Sequence, residues 1–255
     1  MSPNISIRDS IRWLPDEADE PTSTLVLTSG ENRFVDIRIL KGSENETKSN
    51  LPVPLLSGLD WAFAGFSHSE LQHDDNGKPY AHSTWQHWVS DRARNVDEVK
   101  DEGDMFEMPD GRTLEKGRMV NPATGQETDY EEVWRDGVAK VVPEDESDGA
   151  DDREEGEAGK KKCVVLMLHD DEHEARGMVV RMGQFVQGVL RAGSHFSLER
   201  WEWMGTAQKE GWQRVVRMGD SWMPCGAATE QRRLALGSEI RFGEYVWKVV
   251  ELADF

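Results

Sequence analysis

Apolar and polar residues alternate most clearly along residues 33–40. Branched apolar side chains occupy every second position there, and Asp36 and Arg38 stand between them. A β-branched run at 24–28 and a turn-like Ser-Gly-Glu-Asn segment at 29–32 come just before. Period-two alternation on both sides of a turn predicts a β-hairpin, and the apolar positions predict that one of its faces is buried.

The segment 59–66 repeats this pattern with larger side chains. Leu59, Trp61 and Phe63 would share one face of a strand, and Ala62 and Ala64 would line the other. Small side chains opposite large ones suit a narrow, strongly curved sheet. We therefore expect this strand to belong to a barrel.

Further candidate strands are separated by Gly, Pro, Asn and Asp, and no long amphipathic helix is evident. In the second half we predict one long strand over 177–191, bent at Gly183 and Gly188, because glycine permits sharp bends. Strands are also predicted at 163–168, 195–205, 211–218, 232–236 and 239–252. Short strands at such spacing are typical of sandwiches and barrels. The predicted fold class is all-β, with two tandem antiparallel β-barrels.

An acidic segment divides the chain. Between Pro143 and Gly159 nine residues are Asp or Glu and one is Arg, and no aliphatic residue is larger than Ala. Such a segment buries too little apolar surface to offset the entropy of ordering. We predict a barrel over residues 1–142, a flexible acidic linker over 143–162, and a second barrel over 163–255. The halves resemble each other faintly, so duplication and chance likeness both stay open.

Charge and cysteine content narrow the class of protein. The formal net charge of −19 argues against nucleic acid or an anionic membrane as partner, because phosphate contacts need clustered Lys and Arg. Cys163 and Cys225 do not make a disulfide framework. No secretory signal and no apolar run of about 20 residues is present, so we expect an intracellular protein without membrane insertion.

Candidate catalytic and metal motifs are weak. His169 and His173 flank acidic residues, but a charged hairpin turn explains them better than a metal site. Gly219-Asp220-Ser221 resembles the start of a hydrolase motif, yet no His follows His195 to activate the serine. The hypothesis of a haem site with His195 as axial ligand is supported by that one residue alone. We expect no catalytic residues, no metal, no cofactor and no enzymatic activity.

Aromatic residues allow two interpretations: they fill the barrel interiors, or they line a cavity for a small apolar ligand. The candidate pocket residues are Trp61, Phe63 and Trp85 in the first half, and Phe185, Trp201, Trp203 and Trp247 in the second.

Several segments, in this order, resemble the fungal HRI family. They are Leu59-Asp60-Trp61-Ala62-Phe63-Ala64-Gly65, Ser83-Thr84-Trp85-Gln86-His87-Trp88, Tyr130-Glu131-Glu132-Val133-Trp134, Gly183-Gln184-Phe185-Val186-Gln187-Gly188 and Val246-Trp247-Lys248-Val249-Val250-Glu251. The resemblance implies two lipocalin-like (calycin) barrels, a cytoplasmic and nuclear location, and no established activity. It also implies protein partners, either a casein-kinase-I-type kinase or trafficking proteins, and self-association as a homodimer. The Gly-x-Trp signature of secreted lipocalins is missing, since Ile11-Arg12-Trp13 stands near the N-terminus instead.

The sequence therefore predicts a non-enzymatic protein–protein interaction module. The alternative is a carrier that binds a small apolar ligand inside a barrel. The identity of a partner and the presence of a hollow barrel do not follow from the sequence.

Overall fold

A computed structural model describes residues 2–42, 58–143, 160–206, 209–230 and 233–255. These residues form an almost entirely β structure, in which a closed barrel is followed by a curled seven-stranded sheet. The predicted all-β class with two tandem barrel-type units is confirmed. Most of the predicted acidic linker, residues 144–159, lies outside the described residues.

The first eight strands form the closed antiparallel barrel. Each strand pairs with its neighbour in sequence, and β1 also pairs with β8, which removes the open edges of the sheet. The strands are β1 (Asn4–Trp13), β2 (Thr22–Thr28), β3 (Arg33–Leu40), β4 (Leu59–His73), β5 (Pro79–Ser90), β6 (Glu102–Glu107), β7 (Thr113–Val120) and β8 (Glu127–Asp136). A short 3₁₀ turn, Val96–Glu98, lies between β5 and β6.

The remaining strands form one antiparallel sheet in the order β13-β12-β11-β10-β9-β15-β14. They are β9 (Lys162–Asp170), β10 (Ala175–Met182), β11 (Phe185–Ala192), β12 (His195–Thr206), β13 (Lys209–Met218), β14 (Glu239–Phe242) and β15 (Tyr245–Asp254). One short helix, α1 (Cys225–Thr229), follows β13.

The barrel and the second sheet share a hydrophobic core. The outward-facing side chains of β3 and β4, including Val35, Ile37 and Ala62, pack in one cluster with Val165 and Val180 of the second sheet. The small Ala62 and its neighbour Ala64 give the second sheet room to approach the barrel closely. The two units are therefore packed against each other over a continuous apolar surface.

Buried polar side chains also join the two units. Gln187 Nε2 donates to the backbone carbonyls of Leu25 (2.9 Å) and Val35 (3.0 Å). Arg200 Nη2 donates to the carbonyl of Ile37 (2.8 Å), and Arg200 Nε donates to Gln187 Oε1 (2.7 Å). Because these donors lie inside the shared core, the register of the second sheet on the barrel is fixed by polar contacts as well as by packing.

The other face of the second sheet is covered by the segment that leads into α1. Met223, Cys225 and Ala228 are buried there against the fully buried Trp247. Gly188 lies beneath this segment, since a Cβ at that position would fall 2.8 Å from Cys225 Sγ. This face of the second sheet is therefore covered by the protein's own chain.

Two strand predictions in the second half were wrong. The predicted strand 177–191 is a hairpin of β10 and β11, which turn at Gly183 with a φ of 53°. That left-handed conformation suits glycine and ends one strand rather than bending it. The predicted strand at 232–236 does not form among its described residues, 233–236.

No helix in the described ranges is long and apolar enough to span a membrane.

The prediction of a single buried face on β3 was also wrong. The apolar face packs on the second sheet, but Asp36 and Arg38, on the opposite face, are 3% and 9% exposed. These charged side chains point into the barrel, where they contribute to the site described below.

Candidate functional site

The interior of the barrel holds a cavity of about 280 Å³. Its lining runs from Asn4 and Asp136 at one end of the barrel to Asp60 and Arg92 at the other. Aromatic side chains from four strands form much of its wall: Phe34, Trp61, Phe63, Trp85, Tyr130 and Trp134. The alternation along β4 places its large residues on this inner face and its alanines on the outer one.

The aromatic wall is tightly assembled around Phe63. Its ring lies 4.3 Å from that of Trp61 and meets Phe34 edge-on at 5.6 Å, measured between ring centroids. His87 stacks on Phe63 at 4.4 Å and is hydrogen-bonded through Nε2 to Asp101 Oδ2 at 2.8 Å. Such contacts hold the rings in fixed orientations, so the wall is preformed.

Two buried arginines occupy the polar side of the interior. Arg8 Nε donates to Glu20 Oε2 (2.8 Å), its Nη2 donates to Thr22 Oγ1 (2.9 Å), and its Nη1 contacts Glu132. Arg38 reaches the same Glu132 through Nη1. A carboxylate shared between two guanidinium groups makes this a network rather than an isolated pair.

Arg38 also binds Asp36 on its own strand. Its Nε and Nη2 donate to Asp36 Oδ2 at 3.0 and 2.8 Å, and its guanidinium lies 5.1 Å from the centroid of the Trp61 ring. Burial acts to lower the pKa of Arg38, but the charges of Asp36 and Glu132 outweigh it and raise that pKa well above its usual value. Arg38 therefore stays charged inside the barrel.

Glu115 lies buried on β7 and faces the same interior. Its carboxyl accepts hydrogen bonds from Tyr130 Oη and Trp134 Nε1, both at 2.8 Å. Burial, and then the charge of Glu132, raise the pKa of Glu115 to about 8. Burial and the charge of Glu115 raise the pKa of Tyr130, so the phenol remains protonated as the donor. The Glu115 carboxyl is thus held largely neutral at physiological pH.

Two buried polar atoms of the cavity lining have no hydrogen-bond partner among the described residues: Asp36 Oδ1 and Trp61 Nε1. Asp36 is 3% exposed and Trp61 is 7% exposed. Burial raises the pKa of Asp36, and the charge of Arg38 opposes that rise. Buried polar groups are nearly always hydrogen-bonded, so these two atoms are an unsatisfied acceptor and an unsatisfied donor on residues that line the cavity.

The structure brings together only the first-half members of the predicted pocket. Trp61, Phe63 and Trp85 line the barrel cavity. The second-half aromatics lie elsewhere. Trp247 is buried beneath α1, Trp201 Nε1 donates to Glu199 at 2.6 Å, Trp203 packs on Trp212 at 5.9 Å, and Phe185 lies against the shared core. The seven residues therefore do not form one site, and the ligand-binding role assigned to them stays a prediction.

Sequence reasoning missed the charged half of the cavity. Arg8, Glu115 and Glu132 carry no motif, and they come from β1, β7 and β8; Glu20, which binds Arg8, lies in the connection between β1 and β2. The alternation of Asp36 and Arg38 was a usable signal, because charges on a strand whose other face is apolar can face a barrel lumen as well as solvent.

The weak sequence motifs lie outside this cavity. His169 lies at the end of β9 and His173 in the β9–β10 turn. Both are half-exposed, and they pair with Asp171 and Asp170 respectively, each at 2.9 Å. Ser221 follows β13 in a turn, where its backbone N–H donates to Ser197 Oγ. Across the described ranges, no group of three or more His, Cys, Asp or Glu side chains is arranged to hold a metal ion.

Comparison with known proteins identifies the family. The sequence profile of the family described as Protein HRI1 matches residues 4–251. The chain belongs to this family. A solved structure of an uncharacterized Saccharomyces cerevisiae protein, YLR301w, is similar in fold with a TM-score of 0.66 and 18% identity, covering 99% of this chain and 100% of that one. No curated protein sequence matches at a significant level.

Proposed function

We propose that this chain is a non-enzymatic binding protein whose closed barrel holds a small ligand with a flat apolar body and a polar end. One observation carries this proposal: the interior combines a preformed aromatic wall with buried polar atoms that lack partners. Eight-stranded barrels are wide enough to hold one small ligand, as lipocalins do. The ligand therefore differs from the purely apolar one that composition alone suggests.

The cavity has a suitable size for such a ligand. An apolar cavity of about 150 Å³ accepts benzene, and this one measures about 280 Å³. A fused or substituted ring system would fill it. The rings of Trp61 and Phe63 would contact the flat part of the ligand, and Asp36 Oδ1 would accept a hydrogen bond from its polar end.

Native mass spectrometry of the full chain, purified from its own cells, tests the proposal. We expect a reproducible extra mass of small-molecule size. Met119 lines the cavity and its neighbour Val120 is 56% exposed on the outer surface. Met119→Trp should remove the extra mass, and the matched control Val120→Trp should keep it. If the measured mass of the parent protein and of both variants equalled that of the polypeptide alone, the proposal would be contradicted.

A second candidate function is a protein-interaction module, with self-association or a kinase partner in the cytoplasm or nucleus. One structural feature favours it: the seven-stranded sheet ends in β13 and β14, and sheet edges can accept a strand from another chain. Sedimentation over a range of concentrations and cross-linking in native extract test this candidate. A chain that stays monomeric and cross-links to no protein would contradict it.

A further inference from the structure

We infer that the ligand of the barrel is an organic cation: a protonated amine or quaternary ammonium group carried on an aromatic or similarly flat body. This inference rests on the proposed function, because it specifies the chemistry of the molecule that the same cavity holds.

The charge of the cavity lining favours a cationic ligand. Among the described residues, its carboxyl groups outnumber its guanidinium groups by six to three. The carboxyl groups belong to Asp36, Asp60, Asp101, Glu115, Glu132 and Asp136, and the guanidinium groups to Arg8, Arg38 and Arg92. Because Glu115 is largely neutral, five carboxylates face three guanidinium groups before a ligand binds. A low-dielectric barrel wall concentrates the field of these charges, which attracts cations and repels anions.

The arginines of the cavity lining already have carboxylate partners. Arg8 contacts Glu20 and Glu132, and Arg38 contacts Asp36 and Glu132. Arg92 Nη2 donates to the backbone carbonyl of Asp60 (2.6 Å) and to its Oδ1 (3.1 Å). An anionic ligand would have to displace these carboxylates before it gained an ion pair. Displacement is costly at the buried Arg8 and Arg38, whereas Arg92 and Asp60 are 36% and 35% exposed.

Acceptor capacity remains beside the cavity. Asp36 is one of the lining residues, and its buried Oδ1 has no hydrogen-bond partner among the described residues. It is adjacent to the aromatic wall, since Asp36 pairs with Phe63 across β3 and β4. An ammonium group has only donors to offer, so this oxygen suits it.

The protonation state of Glu115 can respond to a bound cation. Tyr130, Glu132, Asp101 and Arg38 are the groups that influence its titration, and the raised pKa of Glu115 reflects burial together with a local excess of negative charge. A positive charge in the cavity would favour the ionised carboxylate. The site would then hold a second negative charge for the ligand without a change in backbone conformation.

The aromatic wall already binds cations of the protein itself. The guanidinium of Arg92 lies 4.7 Å from the Trp61 ring centroid, and that of Arg38 lies 5.1 Å from it. Trp is the side chain that interacts most strongly with cations through its ring face. Trp85 and Tyr130 line the same cavity and offer further rings to an ammonium group.

The test compares three probes of nearly equal shape by isothermal titration of the full chain at neutral pH. They are 1-naphthylmethylamine, 1-naphthylmethanol and 1-naphthoate, which are cationic, neutral and anionic respectively. We expect the amine to bind about tenfold more tightly than the alcohol, from one ion pair and one cation–π contact. The carboxylate should bind most weakly.

Variants keep the result interpretable. Glu115→Gln and Asp36→Asn each remove a carboxylate with little change of shape, so either should weaken amine binding about tenfold and weaken alcohol binding much less. Glu131→Gln, on the outer side of β8, is the matched control. If Asp36→Asn does not fold, Glu115→Gln still decides the result.

The outcomes separate this inference from the proposed function. Equal affinity for alcohol and amine, or tightest binding of the carboxylate, would overturn the cationic ligand and leave a ligand-binding barrel. No binding of any probe, together with clean apo mass of the protein from its own cells, would overturn both.

Discussion

Arg38 on β3 and Glu132 on β8 meet inside the barrel, with Arg38 Nη1 2.9 Å from Glu132 Oε1. Their strands are not neighbours, because β1 and β2 lie between them in the barrel wall. The contact therefore spans the lumen. Since Arg8 of β1 binds the same carboxylate, Glu132 holds three parts of the wall in a fixed arrangement.

Removal of Glu132 should destabilise the barrel. Glu132→Ala leaves two buried guanidinium groups short of a partner, and we expect the free energy of unfolding to fall by about 3 kcal/mol. Chemical denaturation followed by tryptophan fluorescence measures this. Glu131→Ala is the control, because Glu131 pairs with the 42% exposed Arg12 and should cost about 0–1 kcal/mol. Equal losses in the two variants would argue against a structural role for the buried network.

Stability should depend on the protonation of Glu115. Its folded-state pKa of about 8 is above its ordinary value of 4.5. The native state therefore holds this proton more tightly than the unfolded chain, and stability is lost as pH rises towards 8. The slope from this group is at most about 1.4 kcal/mol per pH unit.

The measurement is unfolding free energy between about pH 5 and pH 8. Glu115→Gln should flatten this dependence, because the amide stays neutral throughout. Glu127→Gln changes a 72% exposed carboxylate and serves as the control. A parent-like slope in Glu115→Gln would assign the pH dependence to other groups.

The close contact at Gly65 should not tolerate a side chain. A Cβ there would lie 1.9 Å from the backbone oxygen of Gln86, which cannot move without breaking the β4–β5 pairing. We expect Gly65→Ala to cost about 3 kcal/mol in denaturation experiments. Gly226→Ala in α1 meets no atom within 4 Å and should be neutral or stabilising. Similar stability of both variants would mean that the strands can separate locally.

The barrel and the second sheet should unfold together because they share a core. We expect circular dichroism and tryptophan fluorescence to report one coincident transition for the full chain. Gln187→Ala removes two hydrogen bonds to the barrel and should lower stability by about 2 kcal/mol without splitting that transition. Gln86→Ala, at an exposed position, is the control. Two separate transitions in the parent protein would show that the units are independent.

Period-two patterning predicted the strands of the barrel but not the environment of each face. On β3 it separated Asp36 and Arg38 from the apolar residues correctly, and then assigned the charged face to solvent. The second sheet, which covers the apolar face, is more than 120 residues away in sequence. Local pattern carries no information about such a contact, so it placed the two charges on one face of β3 without deciding whether that face meets the lumen or solvent.

A bulge explains another difference on β5. Strict period-two alternation along residues 80–90 predicts Trp85 and Val89 on one face and Trp88 on the other. In the structure the pairing passes from Gly65–His87 to Ala64–Val89, so Trp88 is an additional residue in the strand. Trp85 lines the cavity, whereas Val89 and Trp88 both pack in the shared core. A bulge shifts every later side chain to the opposite face, and period-two reasoning does not detect it.

The double burial of β3 separates two requirements within eight residues. Its odd-numbered apolar residues pack in the core shared with the second sheet, and Asp36 and Arg38 set the charge of the lumen. Replacing a charge at position 36 or 38 therefore leaves the shared core unchanged. The charge of the lumen can thus change while the packing between the barrel and the second sheet is preserved.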